Sequence, residues 1–384
     1  MTDRGAALAI VSKHSRVLVE FGAGKLSELG ALVRDTGGLH VLLVSDRGIV
    51  AAGHVAAAKA SLTDAGVETV LFAGVEENPT TKHVEAGVRA ARAAEAKGQP
   101  IDLIVGLGGG SALDCAKGIN FLLTNGGQMS DYRGTGKATQ PMLPMIAVPT
   151  TAGTGSEAQS FALISDPVTH QKMACGDEKA MCRATILDPD LTRTLPPRLA
   201  AITGIDAVAH AVETAGTIRR NAVSAELSTT AWGLLNGAYE RAVANSSDDS
   251  ARADMLLGAH VAGAAIEHSM LGAAHACANP LTARCGIAHG MAVGVMLPHV
   301  VRFNADHFAE GNPYAPLGVE AGVLVARIAA LLVAGGLRCT LRELGVERAV
   351  LPQLAGEASG QWTAEFNPVR VEVAELLAVY ESAF

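Results

Sequence analysis

Aromatic side chains are scarce in this chain. Two Trp, four Tyr and eight Phe make up 4% of its 384 residues, which argues against a binding surface built on stacked rings. Basic charge is also short. Thirty Lys and Arg face 38 Asp and Glu, a net charge of −8, and no basic run is present, so a nucleic-acid partner is not expected. The six cysteines (Cys115, Cys175, Cys182, Cys277, Cys285 and Cys339) include no C-x-x-C pair. Zinc knuckles and thioredoxin-type redox sites are therefore excluded, and reduced, mostly buried thiols are expected. No uninterrupted apolar run approaches the ~20 residues of a membrane span, and MTDRGAALAIVSKHS is not a charged-then-apolar leader. These absences leave a soluble cytoplasmic protein with no membrane partner as the expectation. Hydrophobic residues at 49% and 42 glycines suit a large core with close-packed helices and tight strand-to-helix turns.

Length allows two domains, at ~100–200 residues each. In the first half, apolar runs alternate with Ala-rich helical stretches. HVLLVSD (40–46), VETVLFAGV (67–75), IDLIVGLGGG (101–110) and PMIAVPTT (144–151) read as buried parallel strands. VAAAKASLTDAG and TKHVEAGVRAARAAEAKG read as helices between them. Strand, helix, strand at this spacing marks βαβ units and a parallel sheet. After TLPPRLAAITG the strand signals fade, and long stretches with helical periodicity follow, such as AVSAELSTTAWGLLNGAYERAVA and ARADMLLGAHVAGAAIEH. The expected division is an α/β domain over 1–195 and an all-helical domain over 196–384.

Three loops in the first domain carry phosphate- or ribose-binding chemistry. Gly108, Gly109, Gly110 and Ser111 join a strand to a helix. There the backbone can approach a phosphate, and the helix N-terminus offers free N–H groups. Such a turn can equally serve packing. Asp46 ends its strand, where a carboxylate can accept from both ribose hydroxyls and so favours NAD over NADP. It precedes the glycines, the reverse of the usual dinucleotide fingerprint, and a strand-end Asp is often a turn former. PTTAGTGSE supplies Thr150, Thr151, Thr154 and Ser156, which can bind phosphate, ribose or amide groups or simply cap a helix.

The second domain holds a sparse set of metal-type ligands. Asp206 and His210 are four apart in TGIDAVAHAVE, so on a helix they share a face. His275 and His289 follow in HACANPLTARCGIAHG. One carboxylate and three imidazoles make a shell for a divalent cation such as Fe²⁺ or Zn²⁺, which would polarise a substrate oxygen. Spacing alone leaves an ordinary i,i+4 helix pair as good an account. Glu213, one turn beyond His210, either orients a ligand imidazole or is a solvated helix residue. His260 and His268 read as satisfied core or surface residues, and His299 as a capping or packing residue.

FGAGKL, ENPT, GLGGGSALDCAKGI, PTTAGTGSE, DPDLTRTLP, TGIDAVAHAVE and HACANPLTARCGIAHGMAVGVMLPHVVRFN run in the order found in the iron-containing (group III) alcohol dehydrogenases, which this chain resembles from about Phe21 to Asn367. The resemblance implies a Rossmann-like α/β domain binding NAD(P) and a helical domain holding the metal, the fold shared with dehydroquinate synthase. It carries metal binding to Asp206, His210, His275 and His289. It carries dinucleotide binding to Asp46, Asn78, Gly108, Gly109, Gly110, Ser111, Asp114, Thr150, Thr151, Thr154 and Lys172. The implied activity is hydride transfer between NAD and a small aliphatic alcohol or aldehyde, in a homo-oligomer. Maleylacetate reductase, glycerol dehydrogenase and a catalytically silent NAD-binding protein are the alternatives. One departure stands out. The family motif H-x-x-x-H-P reads HACANP here, so Asn279 replaces a histidine, and Asn hydrogen-bonds without shuttling protons.

Overall fold

A computed structural model describes residues 3–168 and 171–384. Its strands are β1 (Leu18–Phe21), β2 (His40–Asp46), β3 (Glu68–Val75), β4 (Leu103–Gly108), β5 (Gly134–Thr135), β6 (Met145–Pro149), β7 (Phe161–Ser165), β8 (Lys172–Gly176) and β9 (Ala184–Leu187). The α-helices are α1 (Arg4–His14), α2 (Leu29–Asp35), α3 (Arg47–Ala51), α4 (His54–Asp64), α5 (Thr81–Glu95), α6 (Gly110–Asn125), α7 (Pro197–Gly216), α8 (Ala222–Ala244), α9 (Asp249–Glu267), α10 (Ala273–Cys285), α11 (His289–His307), α12 (Ala321–Ala334), α13 (Leu351–Ser359) and α14 (Val373–Ala383).

The chain forms two compact units. One comprises Ser15–Thr151 and Ser156–Thr194; the other comprises Ala152–Gly155, Leu195–Phe384 and the N-terminal segment with α1. In the first, six parallel strands lie in the order β1-β9-β6-β4-β2-β3. The four strands expected from apolar runs are β2, β3, β4 and β6. β2 and β4 bury both faces, because their side chains alternate between two cores. Leu42, Val44, Ile104, Met145 and Ala147 belong to one core, and Val41, Leu43, Val105, Ile146 and Val148 to the other. The connection from β2 leads to β3 on one side, and that from β4 leads to β6 on the other. The carboxyl ends of β2 and β4 therefore flank a topological switch point, where doubly wound sheets bind ligands. A second sheet, β5-β8-β7, was not expected from the sequence, because its strands are only two to five residues long.

The second unit is helical apart from connecting segments. α7 is buried almost throughout its last four turns. Glycines let its neighbours close in: a Cβ at Gly290 would overlap the Ile202 carbonyl oxygen and come within 3.2 Å of Asp206 Cβ, so α11 begins hard against α7. α1 belongs to this unit although it precedes the sheet in sequence, and Arg4 ties it to α9 by bonding Asp254 at 2.5 Å. No helix among the described residues is long and apolar enough to cross a membrane.

Candidate active site

In the helical unit, α7 presents Asp206 and His210 one turn apart. His275 lies in the first turn of α10 and His289 opens α11. Asp206 Oδ1 lies 3.8 Å from His210 Nε2 and 3.5 Å from His275 Nε2. One ligand atom from each of these three buried residues falls within 4.8 Å of the others. The His210 and His275 rings stack with centroids 4.9 Å apart, and the His289 ring lies 5.4 Å from that of His275 at 57°. Asp206 Oδ1 and His275 Nε2 are buried without a hydrogen-bond partner. Unpartnered buried polar atoms are costly, at about 1–3 kcal/mol each, and here the two lie 3.5 Å apart. A divalent cation would satisfy them, and the donor set of one carboxylate and three imidazoles fits such an ion.

The electrostatics agree. Burial pushes the Asp206 carboxyl up, but the surrounding imidazoles, His210 foremost, outweigh it and hold the group well below the usual carboxylate range. Burial also lowers His210. His275 behaves oppositely. Burial opposes its charge, yet Glu213 and Asp206 on either side of the ring raise it to about 9. A positive charge is therefore favoured between the two carboxylates, whether carried by a proton or by a metal ion.

Glu213 is buried and makes two contacts. Its Oε1 accepts from Ala274 N at 2.7 Å, and its Oε2 pairs closely with His275 Nδ1. That pairing commits Nδ1 to carrying the proton and turns Nε2 toward Asp206, the arrangement that orients metal-binding imidazoles. Beneath it, Asn367 Oδ1 accepts from Asn304 Nδ2 at 3.0 Å, and Asn304 Nδ2 also reaches the Tyr314 hydroxyl at 2.8 Å. A Cβ at Gly272 would come within 3.1 Å of both Glu213 Oε1 and Asn367 Oδ1. No local pattern in the sequence marks this amide network, since Asn304, Tyr314 and Asn367 are far apart in the chain.

In the α/β unit, Asp46, the Gly108–Ser111 turn, Thr150 and Thr151 lie at the carboxyl ends of β2, β4 and β6, whereas Asn78 follows β3 and Lys172 begins β8. Asp46 caps α3, its Oδ1 accepting from Ile49 N at 2.9 Å, so the turn-forming role is real. Its Oδ2 lies 3.4 Å from where a Gly108 Cβ would stand. Gly108 has φ +151° and its Cβ would be 2.8 Å from that of Ala112, so only glycine fits. A Cβ at Gly109 would come within 3.2 Å of Thr151 Cγ2, and Thr150 N donates to Gly108 O at 3.0 Å. Gly110 and Ser111 open α6. Asn78 adopts the left-handed conformation at φ 53° in the turn before α5.

Other expected residues are placed differently. Thr154 groups with the helical unit, whereas Thr150 and Thr151 belong to the α/β unit. Asp114 is buried inside α6, where Ser156 Oγ donates to its Oδ1 at 2.6 Å. Burial raises its carboxyl, against the pull of Lys117 and Lys172. Asn279 lies one turn beyond His275 on α10, its Nδ2 donating to Gln361 Oε1 at 3.0 Å.

The sequence matches the family described as iron-containing alcohol dehydrogenase over residues 17–189. It matches the C-terminal part of the Fe-containing alcohol dehydrogenase family over residues 200–384. It is 36% identical over 370 residues to alcohol dehydrogenase 4 of Schizosaccharomyces pombe, covering 94% of this chain and 86% of that protein. A crystal structure of 1,3-propanediol oxidoreductase superposes with TM-score 0.90 at 32% identity, covering 96% of this chain and 98% of that one. A sulfoacetaldehyde reductase from Bifidobacterium kashiwanohense, solved in complex with NAD⁺, superposes with TM-score 0.86 at 26% identity, covering 96% and 97%.

Proposed function

The chain belongs to the iron-containing alcohol dehydrogenase family, and from that premise we propose that it is a metal-dependent, NAD-linked alcohol dehydrogenase or aldehyde reductase. The reaction moves a hydride between the carbinol carbon of a small aliphatic alcohol and the nicotinamide, and one proton is released on oxidation. The observation that carries this reading is the convergence of Asp206 Oδ1 and His275 Nε2, both buried and unpartnered, with His210 in the same cluster.

Asp206, His210, His275 and His289 would hold Fe²⁺ or Zn²⁺. A bound divalent ion would supply Lewis-acid stabilisation of the negative charge that develops on the substrate oxygen. Glu213 keeps His275 in the tautomer that presents Nε2. In the α/β unit, Gly108, Gly109, Gly110 and Ser111 would receive the pyrophosphate on backbone N–H groups at the start of α6. Asp46 would accept from the ribose hydroxyls and repel a 2′-phosphate. Thr150 and Thr151 stand beside the glycine turn, and Asn78, Asp114, Thr154 and Lys172 complete the proposed set. Asn279 keeps a neutral amide at every working pH, so it can orient a hydroxyl but relay no proton. The same reading assigns dinucleotide binding to residues 1–195 and metal binding to residues 196–384, in a homo-oligomer.

The test pairs metal analysis with turnover. Dialysis against a strong chelator should abolish NADH formation from short primary alcohols and diols, and adding back iron or zinc should restore it. Full activity in metal-free protein would sink the proposal. Tight binding of NADH and metal with no turnover of any alcohol would instead identify a silent NAD-binding protein.

A further inference from the structure

Lys117 is unused by the chemistry above, and it is fully buried. A lysine is almost never buried so completely unless its ammonium is richly paired. Here Nζ donates to Ser156 O at 2.6 Å, Gln159 O at 2.6 Å, Phe161 O at 2.9 Å and Ser156 Oγ at 3.2 Å. Three backbone carbonyls and a hydroxyl close around one ammonium, as oxygens would around a small cation. Ser156 Oγ donates in turn to Asp114 Oδ1 at 2.6 Å, so Ser156 links the two charged residues three apart on α6.

The chain leaves the α/β unit after Thr151 and re-enters it at Ser156. The outgoing end is held against the glycine turn by the Thr150 N–Gly108 O bond and the close approach of Thr151 to Gly109. The returning end is held by Lys117. Both anchors are on or beside α6, whose first residues form the glycine turn. We infer that Lys117 is a positioning residue for the dinucleotide: its buried ammonium clamps segment 156–161 onto α6, the helix that opens with the Gly108–Ser111 turn, while Thr150 and Thr151 are held to that turn by their own contacts. The inference rests on the proposed NAD-linked function. It makes Asp114 a support for this clamp, reached through Ser156.

The experiment titrates NADH by fluorescence into wild-type, Lys117→Met and Ser156→Ala proteins, with thermal melting and metal content measured on each. Lys117→Met should raise the NADH dissociation constant about tenfold. Ser156→Ala, which keeps the three carbonyl contacts but cuts the link to Asp114, should raise it about threefold. Both should keep the wild-type metal stoichiometry, a split that general loss of structure would not give. If Lys117→Met fails to fold, Ser156→Ala alone decides. Wild-type NADH affinity in every folded variant, or loss of metal in step with NADH affinity, overturns the inference. A wild-type protein that binds no NADH overturns the NAD-linked reading itself, and this inference with it.

Discussion

The two proposed binding sites are built from different materials. The proposed dinucleotide site draws mainly on backbone: a glycine at φ +151° and the N–H groups at the start of α6, joined by one strand-end carboxylate that also caps the next helix. The helical unit uses side chains, with Asp206, His210, His275 and His289 carried on three helices packed so tightly that Gly290 admits no Cβ. A backbone site tolerates changes of side chain but not of conformation. A side-chain site fails when a single ligand is lost, however intact the fold. Two substitutions sharpen this contrast most. Asp206→Ala should abolish stoichiometric metal and lower turnover by about 10³-fold while leaving NADH binding unchanged. Gly108→Ala should do the converse, weakening NADH binding about 100-fold with full metal content, because its Cβ would press on Ala112. Metal analysis and NADH fluorescence on both proteins check the pair. If either variant lost both ligands together, the two sites would not be separable.

The contrast also explains what was legible in the sequence. The sheet announced itself, since β2 and β4 are buried on both faces and so appear as continuous apolar runs. β7 and β8 did not, because they alternate partly buried and buried positions over five residues. Asp206 and His210 were visible as an i,i+4 pair. Their grouping with His275 and His289 rested on the family resemblance and not on spacing, because no local rule fixes how α7, α10 and α11 cross. Lys117 stood inside GLGGGSALDCAKGI, but the glycines carried the obvious chemistry, and the carbonyls that surround the lysine lie some forty residues away. Glu213 fitted a solvated helix residue as well as an orienting one, and only its burial and its two contacts decide between them.

Glu213 gives an intermediate test of how far a side-chain site depends on its surroundings. Glu213→Gln keeps the size of the side chain and removes the charge. Its single amide oxygen cannot accept from both Ala274 N and His275 Nδ1 as the two carboxylate oxygens do, so the hold on Nδ1 weakens and metal affinity should fall by about 10–100-fold with NADH affinity unchanged. Competition against a chelator of known strength measures the first and fluorescence the second. Wild-type metal affinity in this variant would show that packing alone orients the imidazole.

The smallest expected effect lies outside both sites. His299 on α11 is part-buried, its Nδ1 2.9 Å from Ser382 Oγ. Burial, aided by the positive charge of Arg302, lowers it to about 4. Unfolded, the same group would titrate near 6.5. The unfolded chain therefore binds the proton first, and the contribution of neutral His299 is complete above pH 6.5 and lost as pH falls toward 4. After a discount for partial exposure, the loss is about 1–2 kcal/mol. His299→Gln removes the titration while retaining a hydrogen-bonding side chain. Melting temperatures between pH 7 and pH 4 should fall less steeply in this variant than in the wild type, while metal content and NADH affinity at pH 7 stay the same. An identical pH slope in the two proteins would show that the acid sensitivity of the helical unit arises elsewhere.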